Sequence, residues 1–184
     1  MDNFTLDPTV YDGRPADCSG RDAVEIACYD FLDGLGVPYQ RVDHSETPSI
    51  EACGEVEQLL GIEICKNLFL CNRQKTQFTL LIMPGAKPFR TKDLSAQLGC
   101  SRLSFADAEH MQQYLCVTPG SVSVLGLLND TEKHVRLVID RDVLGPDWFG
   151  CHPCRNTSSL RIATADLTGK ILPALRHEPT YVSL

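Results

Sequence analysis

Apolar residues recur at three- and four-residue spacing in some stretches of the chain and gather into short continuous runs in others. The first helical pattern covers residues 21–35, with Val24, Ala27, Cys28, Phe31 and Leu35 on one face. Gly34 and Gly36 end it, Pro38 forbids continuation, and a short strand at Tyr39–Val42 follows. Thr47-Pro48 predicts a second helix start, with a hydroxyl N-cap and proline at the first helical position. Ile50, Cys53, Val56, Leu59 and Leu60 give that helix its apolar face, and Gly61 its end.

Ile64–Cys71 and Gln77–Met83 read as strands joined by the polar turn Asn72–Thr76, with Pro84-Gly85 closing the second. Helices are predicted at Thr91–Leu98 and Ala106–Leu115, on either side of a short strand at Arg102–Phe105. Further strands are expected at Ser121–Leu128, Val135–Ile139 and Ser158–Ala163, the first two joined by a turn at Asn129-Asp130. A final helix is expected at Asp166–Leu175. Strands and helices mix without regular βαβ alternation, so the sheet should be mixed rather than purely parallel. Residues 1–18, rich in Asp, Pro and Gly without a period, read as a loose arm or strap. The remainder, 19–184, reads as one domain with no internal repeat and no linker.

Composition narrows the class. The 184 residues are 43% hydrophobic and 22% charged, an ordinary globular balance with enough chain for one core. No apolar run approaches the ~18 residues of a membrane helix. The start, Met1-Asp2-Asn3-Phe4, has no basic stretch followed by an apolar one, so no secretory signal is read and the cytoplasm is the expected location. The nine cysteines are odd in number, scattered and mostly inside apolar stretches, as expected of reduced, buried thiols.

The net charge of −7 excludes a protein that coats DNA or RNA, and no DNA partner is expected. Its distribution is uneven. Residues 1–63 carry 3 basic and 14 acidic side chains, whereas residues 64–92 carry Lys66, Arg73, Lys75, Lys87, Arg90 and Lys92 and no acid. A locally positive segment on an acidic body suits contact with one end of an RNA, or is simply a solvated basic hairpin.

Three places carry candidate chemistry. Lys66 stands in an otherwise apolar run, where a lysine is paired, extended to an edge, or held for a purpose. The stretch Cys116–Gly126 contains Pro119-Gly120 followed by small residues, whose backbone can approach a ligand closely. Gly150–Thr157 offers an imidazole (His152), two thiols (Cys151, Cys154), a guanidinium (Arg155) and an amide (Asn156).

In their order along the chain these pieces resemble the prolyl-tRNA deacylase family, the YbaK/ProX group. Its members are free-standing relatives of the editing insertion of bacterial prolyl-tRNA synthetases. The matching segments are Asp43-His44, Thr47–Ala52, Gly61–Leu70, Leu81–Gly85, Arg90–Leu98, Thr118–Asp130 and Cys151–Thr157. Lys66-Asn67, Pro119–Ser123 and His152-Pro153 with Asn156-Thr157 look most like the alanine-specific, ProX-like branch.

The resemblance implies a single-domain, mixed-sheet α/β fold of α+β type, partly barrel-like and surrounded by helices. It implies hydrolysis of the ester between an amino acid, most similar to the alanine case, and the 3′-terminal ribose of proline tRNA. Lys66 then matches the family's essential lysine at the terminal adenosine, with Asn67 ordering the same contact. Gly120, Ser121, Val122, Ser123 and Val124 match the Gly-x-x-x-Pro loop lining the aminoacyl pocket, Val124 standing where the proline is usual, and Thr118 just before it joins them as a substrate-binding residue. His152 matches a pocket histidine, and Arg90 or Lys92 would meet the acceptor stem.

No metal and no cofactor are implied; the partners are the tRNA(Pro) acceptor end and, beyond it, prolyl-tRNA synthetase. An aminoacyl ester is already activated, so such a site needs position and electrostatics more than a strong nucleophile. His152, a ribose hydroxyl and backbone groups are each candidates to activate the water. A pocket sized for a methyl group admits alanine and excludes proline by volume.

Other readings remain open from sequence. One is a pocket matched to cysteine or another small amino acid. Another is a module that binds tRNA or protein without turnover. Cys151-His152-Pro153-Cys154 is a C-x-x-C thiol-redox motif in the wrong place, preceded by Gly145-Pro146 and an expected turn at Gly150 and far from a βαβ start. The same pair as a zinc site lacks a second ligand pair.

Overall fold

The computed structural model describes residues 4–46 and 50–184, and among these nine strands form two sheets. The antiparallel sheet has the order β1 (Tyr11–Asp12), β2 (Tyr39–Asp43), β8 (Ser158–Ala163), β7 (Trp148–Cys151). The mixed sheet has the order β5 (Ser104–Phe105), β3 (Lys66–Cys71), β4 (Phe78–Met83), β6 (Val135–Asp140), β9 (Thr180–Val182). In it β3 lies antiparallel to β4 and β5, whereas β4–β6 and β6–β9 run parallel. The helices are α1 (Ala23–Gly34), α2 (Ile50–Leu60), α3 (Thr91–Leu98) and α4 (Ala108–Leu115), with a broken helix near the C-terminus. The expected single mixed sheet is therefore one of two. They do not close into a barrel; an isolated parallel bridge, Ile64 to Gly150, joins the edge of one to the segment leading into the other.

The period of two in the strands explains the layering. Phe69, Phe78, Leu80, Ile82, Leu137 and Ile139 face the main core, shared with Tyr39, Phe149, Leu160 and Ile162 of the other sheet and with Cys28, Tyr29 and Leu32 of α1. The alternate residues Leu70, Leu81, Met83 and Val138 face a second cluster, covered by Leu94 of α3. With both faces covered, β4 is buried along its whole length and apolar at every position but Thr79. A third cluster holds Val42, Val56 and Leu60, and Phe4, Leu6 and Val10 pack onto it. Residues 4–12 thus lie along the domain as a strap, with Leu6 bridged to His44 and Tyr11 paired with Arg41.

Local signals place most helix ends. The Asp22 carboxylate accepts from the Val24 N–H, and Asp107 from the His110 N–H. Gly99, at φ 61°, ends α3. The Thr47-Pro48 start of α2 lies outside the described residues.

The structure corrects three expectations. Ser121–Leu128 is not a strand. Ser123 caps a 3-10 turn at Val124–Asn129, its hydroxyl accepting from the Leu125 N–H at 3.3 Å. Val124, Leu125 and Leu127 are buried together against the core, so the apolar run has no alternating exposed face. Asn129 fixes the turn by donating to the carbonyls of Leu115 and Gly126. Second, the Gly150 segment is the strand β7 rather than a turn. Third, the final helix is broken: Thr164–Asp166 (α5) and Leu172–Leu175 (α6) flank a π-helical turn at Leu167–Ile171. Pro173 has no N–H for the carbonyl four residues before it, which disturbs the α-helical ladder there. Short β9 follows Pro179 and was not anticipated.

Candidate active site

The segment Ile62–Cys65, leading into β3, threads between two glycines. A Cβ on Gly150 would stand 2.6 Å from Ile62 Cδ1 and 3.2 Å from the Glu63 carbonyl oxygen. One on Gly85 would stand 2.3 Å from the Ile64 carbonyl oxygen. At Gly85 only glycine admits backbone this close, at Gly150 an added Cβ would have to displace the Ile62 side chain, and the result is a seam where β7 of the antiparallel sheet meets the segment leading into β3.

A cavity of about 430 Å³ opens at this seam. Lys66, Asn67, Gly120, Val122 and His152, all singled out from the sequence, line it together. Glu57, Glu63, Cys65, Gly85 and Ala86, which sequence reasoning missed, complete most of the wall. The Pro84-Gly85 turn carried a signal for two of them; the two glutamates carried none, lying among many acids.

Lys66 opens β3 opposite Met83, and its Nζ donates to the Lys87 carbonyl at 2.9 Å. Asn67 turns its Nδ2 to the Cys65 carbonyl at 3.2 Å, while its buried Oδ1 has no partner among the described residues. Gly120 stands at φ +88°, in the left-handed region, in a turn closed by the Ser121 N–H on the Thr118 carbonyl at 3.0 Å. Thr118 is exposed and also donates its hydroxyl to Ser121 Oγ. Ser121, Ser123 and Val124 are buried behind this turn and do not line the cavity. Val124, at the usual proline position, is a core residue with 1% exposure.

His152 meets the Ser158 carbonyl through Nδ1 at 2.8 Å. A carbonyl only accepts, so Nδ1 carries the proton and a neutral ring keeps its lone pair on Nε2. Burial lowers the tendency of His152 to protonate, the neighbouring His44 ring adds to this, and the Ser158 bond opposes it. Ser158 is itself held by a buried charge network. Its hydroxyl donates to Asp43 at 2.7 Å and accepts from Arg21 at 2.8 Å, and Arg21 also pairs with Glu25 and Asp43. Arg41 pairs with Asp43 from the other side. Burial works against the Asp43 charge, but hydrogen bonds from Arg21, Arg41 and Ser158 prevail and hold its carboxyl at about 2.

Arg90 and Lys92 stand apart, at the start of α3. Arg90 is 80% exposed and pairs with Asp93; neither residue lines the cavity. The basic segment is partly neutralised, with Lys75 on Asp107 and Lys87 on Asp140 and Asp142.

The C-x-x-C reading does not survive the geometry. Cys151 and Cys154 are 1% and 0% exposed, and their thiols are pushed well up, that of Cys151 by burial and that of Cys154 by its contact with Cys28 and by burial. A thiol kept protonated and out of reach is no nucleophile. No three His, Cys, Asp or Glu side chains among the described residues converge as a metal site would need. No helix among them is long and apolar enough to cross a membrane.

Comparison with known proteins gives a consistent answer. Residues 44–169 match the family model of the aminoacyl-tRNA editing domain. The prolyl-tRNA editing protein ProX of Acetoanaerobium sticklandii is 31% identical over 136 residues, covering 74% of this chain and 83% of that protein. The prolyl-tRNA synthetase associated domain-containing protein 1 of Danio rerio is 31% identical over 157 residues, covering 84% of each. Among solved structures, one proposed to be a trans-editing enzyme for prolyl tRNA synthetase superposes with a TM-score of 0.64 at 17% identity, covering 89% of this chain and 97% of that one. That likeness shows the fold, and the sequence matches show the family: this chain belongs to the aminoacyl-tRNA editing domain family.

Proposed function

We propose that the chain is a free-standing deacylase that hydrolyses alanine from mischarged proline tRNA, acting beside prolyl-tRNA synthetase. The observation that carries this reading is one cavity holding a lysine ammonium, a neutral histidine and a glycine turn. Among the described residues the Lys66 ammonium meets a neutral carbonyl and no carboxylate, which leaves its charge for the phosphate or ribose of the terminal adenosine. Asn67, beside it, helps order that contact. The Gly120–Val122 turn offers backbone and one small apolar side chain to the aminoacyl group. Arg90 and Lys92, outside the cavity, meet the acceptor stem.

In the reaction, His152 Nε2 takes a proton from water as the water oxygen attacks the ester carbonyl carbon. The bond from that carbon to the ribose oxygen then breaks. The ribose oxygen recovers the proton, releasing free amino acid and uncharged tRNA. The vicinal ribose hydroxyl helps place the water. Exclusion of proline follows from volume rather than from any polar contact.

The test charges proline tRNA separately with alanine, cysteine and proline and follows release by the wild type and by Lys66→Ala. Fast release of alanine, sparing of proline and a loss of about a hundredfold or more in the variant are expected. Preferential release of cysteine would move the pocket assignment within the same chemistry. Binding of charged tRNA with no release of any amino acid would end the hydrolase reading in favour of a binding module.

A further inference from the structure

Lys66 does not hold its place alone. The carbonyl that accepts from its Nζ belongs to Lys87, in the loop between β4 and α3. That loop is fixed from several sides. Gly85 lies against the Ile64 carbonyl with no room for a side chain, the Ala86 N–H donates to Glu63 Oε1 at 3.1 Å, and the Lys87 N–H closes a turn on Pro84. The Lys87 side chain then reaches between two carboxylates, 2.8 Å from Asp140 Oδ2 and 2.7 Å from Asp142 Oδ2.

Asp140 ends β6 and its side chain is 0% exposed; it also accepts from the N–H groups of Asp142 and Leu184. The two lysines are therefore electrically unlike. Lys87 meets two negative charges, whereas Lys66 meets a dipole with no net charge.

On the reading above, in which Lys66 meets the tRNA 3′ end, we propose that Lys87 and Asp140 are positioning residues for Lys66. Their ion pair holds the Lys87 carbonyl at the point that aims the Lys66 ammonium, and it consumes the charge of Lys87. Without the pair, the loop and its carbonyl drift, and Lys66 loses its fixed direction. A freed Lys87 would also compete for the phosphate. A buried ion pair adds little net stability over apolar packing, which fits a pair retained for placement.

A double-mutant cycle separates placement from general stability. Lys87→Met should lower kcat/KM for alanyl-tRNA(Pro) by about ten- to a hundredfold in the wild type, the scale expected when a reacting group is displaced by about 1 Å. In a Lys66→Ala background it should cause no further loss, and Lys87→Arg should restore most of the activity. Lys87→Met with Asp140→Asn removes both charges, so no buried carboxylate is stranded if the single variant folds poorly; it should show the same dependence on Lys66. An equal loss in both backgrounds overturns the proposal. A second readout does not need turnover: the side-chain ammonium NMR signal of Lys66 should shift or exchange faster in both Lys87→Met and the double variant. If the wild type releases no amino acid, the hydrolase reading fails, and this signal still judges the positioning; an unmoved signal overturns it.

Discussion

At the scale of single side chains, the neighbours of His152 set its tautomer and oppose its charge. The Ser158 carbonyl takes Nδ1–H, and burial with the nearby His44 keeps the ring neutral below its ordinary 6.5. In the proposed role of base it must be neutral, so kcat/KM should stay level as pH falls to 6.5 and decline only below it; a profile already falling near pH 7 would contradict this. His152→Ala should cost about a hundredfold or more, within the range for a general base. Val122 is the side chain of the glycine turn that reaches the cavity. Val122→Ala should raise release of a larger amino acid relative to alanine by about tenfold, the weight of a methyl-sized change in an apolar pocket, read from paired deacylation assays.

At the scale of elements, the two-glycine seam and the network behind Ser158 shape the wall of the cavity. Gly85→Ala puts a Cβ on a backbone oxygen 2.3 Å away, and backbone cannot swing aside as a side chain does. Thermal or urea unfolding should show a loss of about 1–3 kcal/mol, with Gly34→Ala, whose added Cβ meets nothing, as the comparison.

Legibility in the sequence follows the same divide. The helices α1, α3 and α4 and strands β3, β4, β6 and β8 carry clear periodic or apolar patterns with local stop signals. The run Val124–Asn129 carries apolar residues without a period and takes its shape from packing on Leu115 of α4, which no local signal reports. Gly150 reads as a turn because glycine usually does; its reason is Ile62, far away in sequence. Lys66, Asn67, Gly120, Val122 and His152 line one cavity, whereas Ser121, Ser123 and Val124 fall behind the turn. Glu57 and Glu63 reach the cavity through the path of α2 and the seam, and a sequence shows neither.

For the whole molecule, pH should act on stability from the acid side. The unfolded chain takes up protons at His44 and His152 near 6.5, whereas burial in the folded protein resists this. Stability from these groups is therefore present above 6.5 and lost as pH falls below it. Asp43 adds a second loss between its ordinary 3.8 and about 2, as its bonds to Arg21 and Arg41 are protonated away. Melting temperatures measured from pH 8 to pH 3 should fall in these two stages, with no fall on going from 6.5 to 8 from the same groups.

The seam at Ile64 and Gly150 has a mechanical side. The antiparallel and mixed sheets share a core, and along this edge, among the described residues, the Ile64–Gly150 bridge joins them beside the cavity. An occupant reaching from Lys66 to His152 would act as a staple between the two sheets. Amide protons of Ile64, Lys66 and Gly150 should then exchange more slowly when the cavity is filled by a non-hydrolysable aminoacyl-adenosine, and those at the far ends of β3 and β4 should not change.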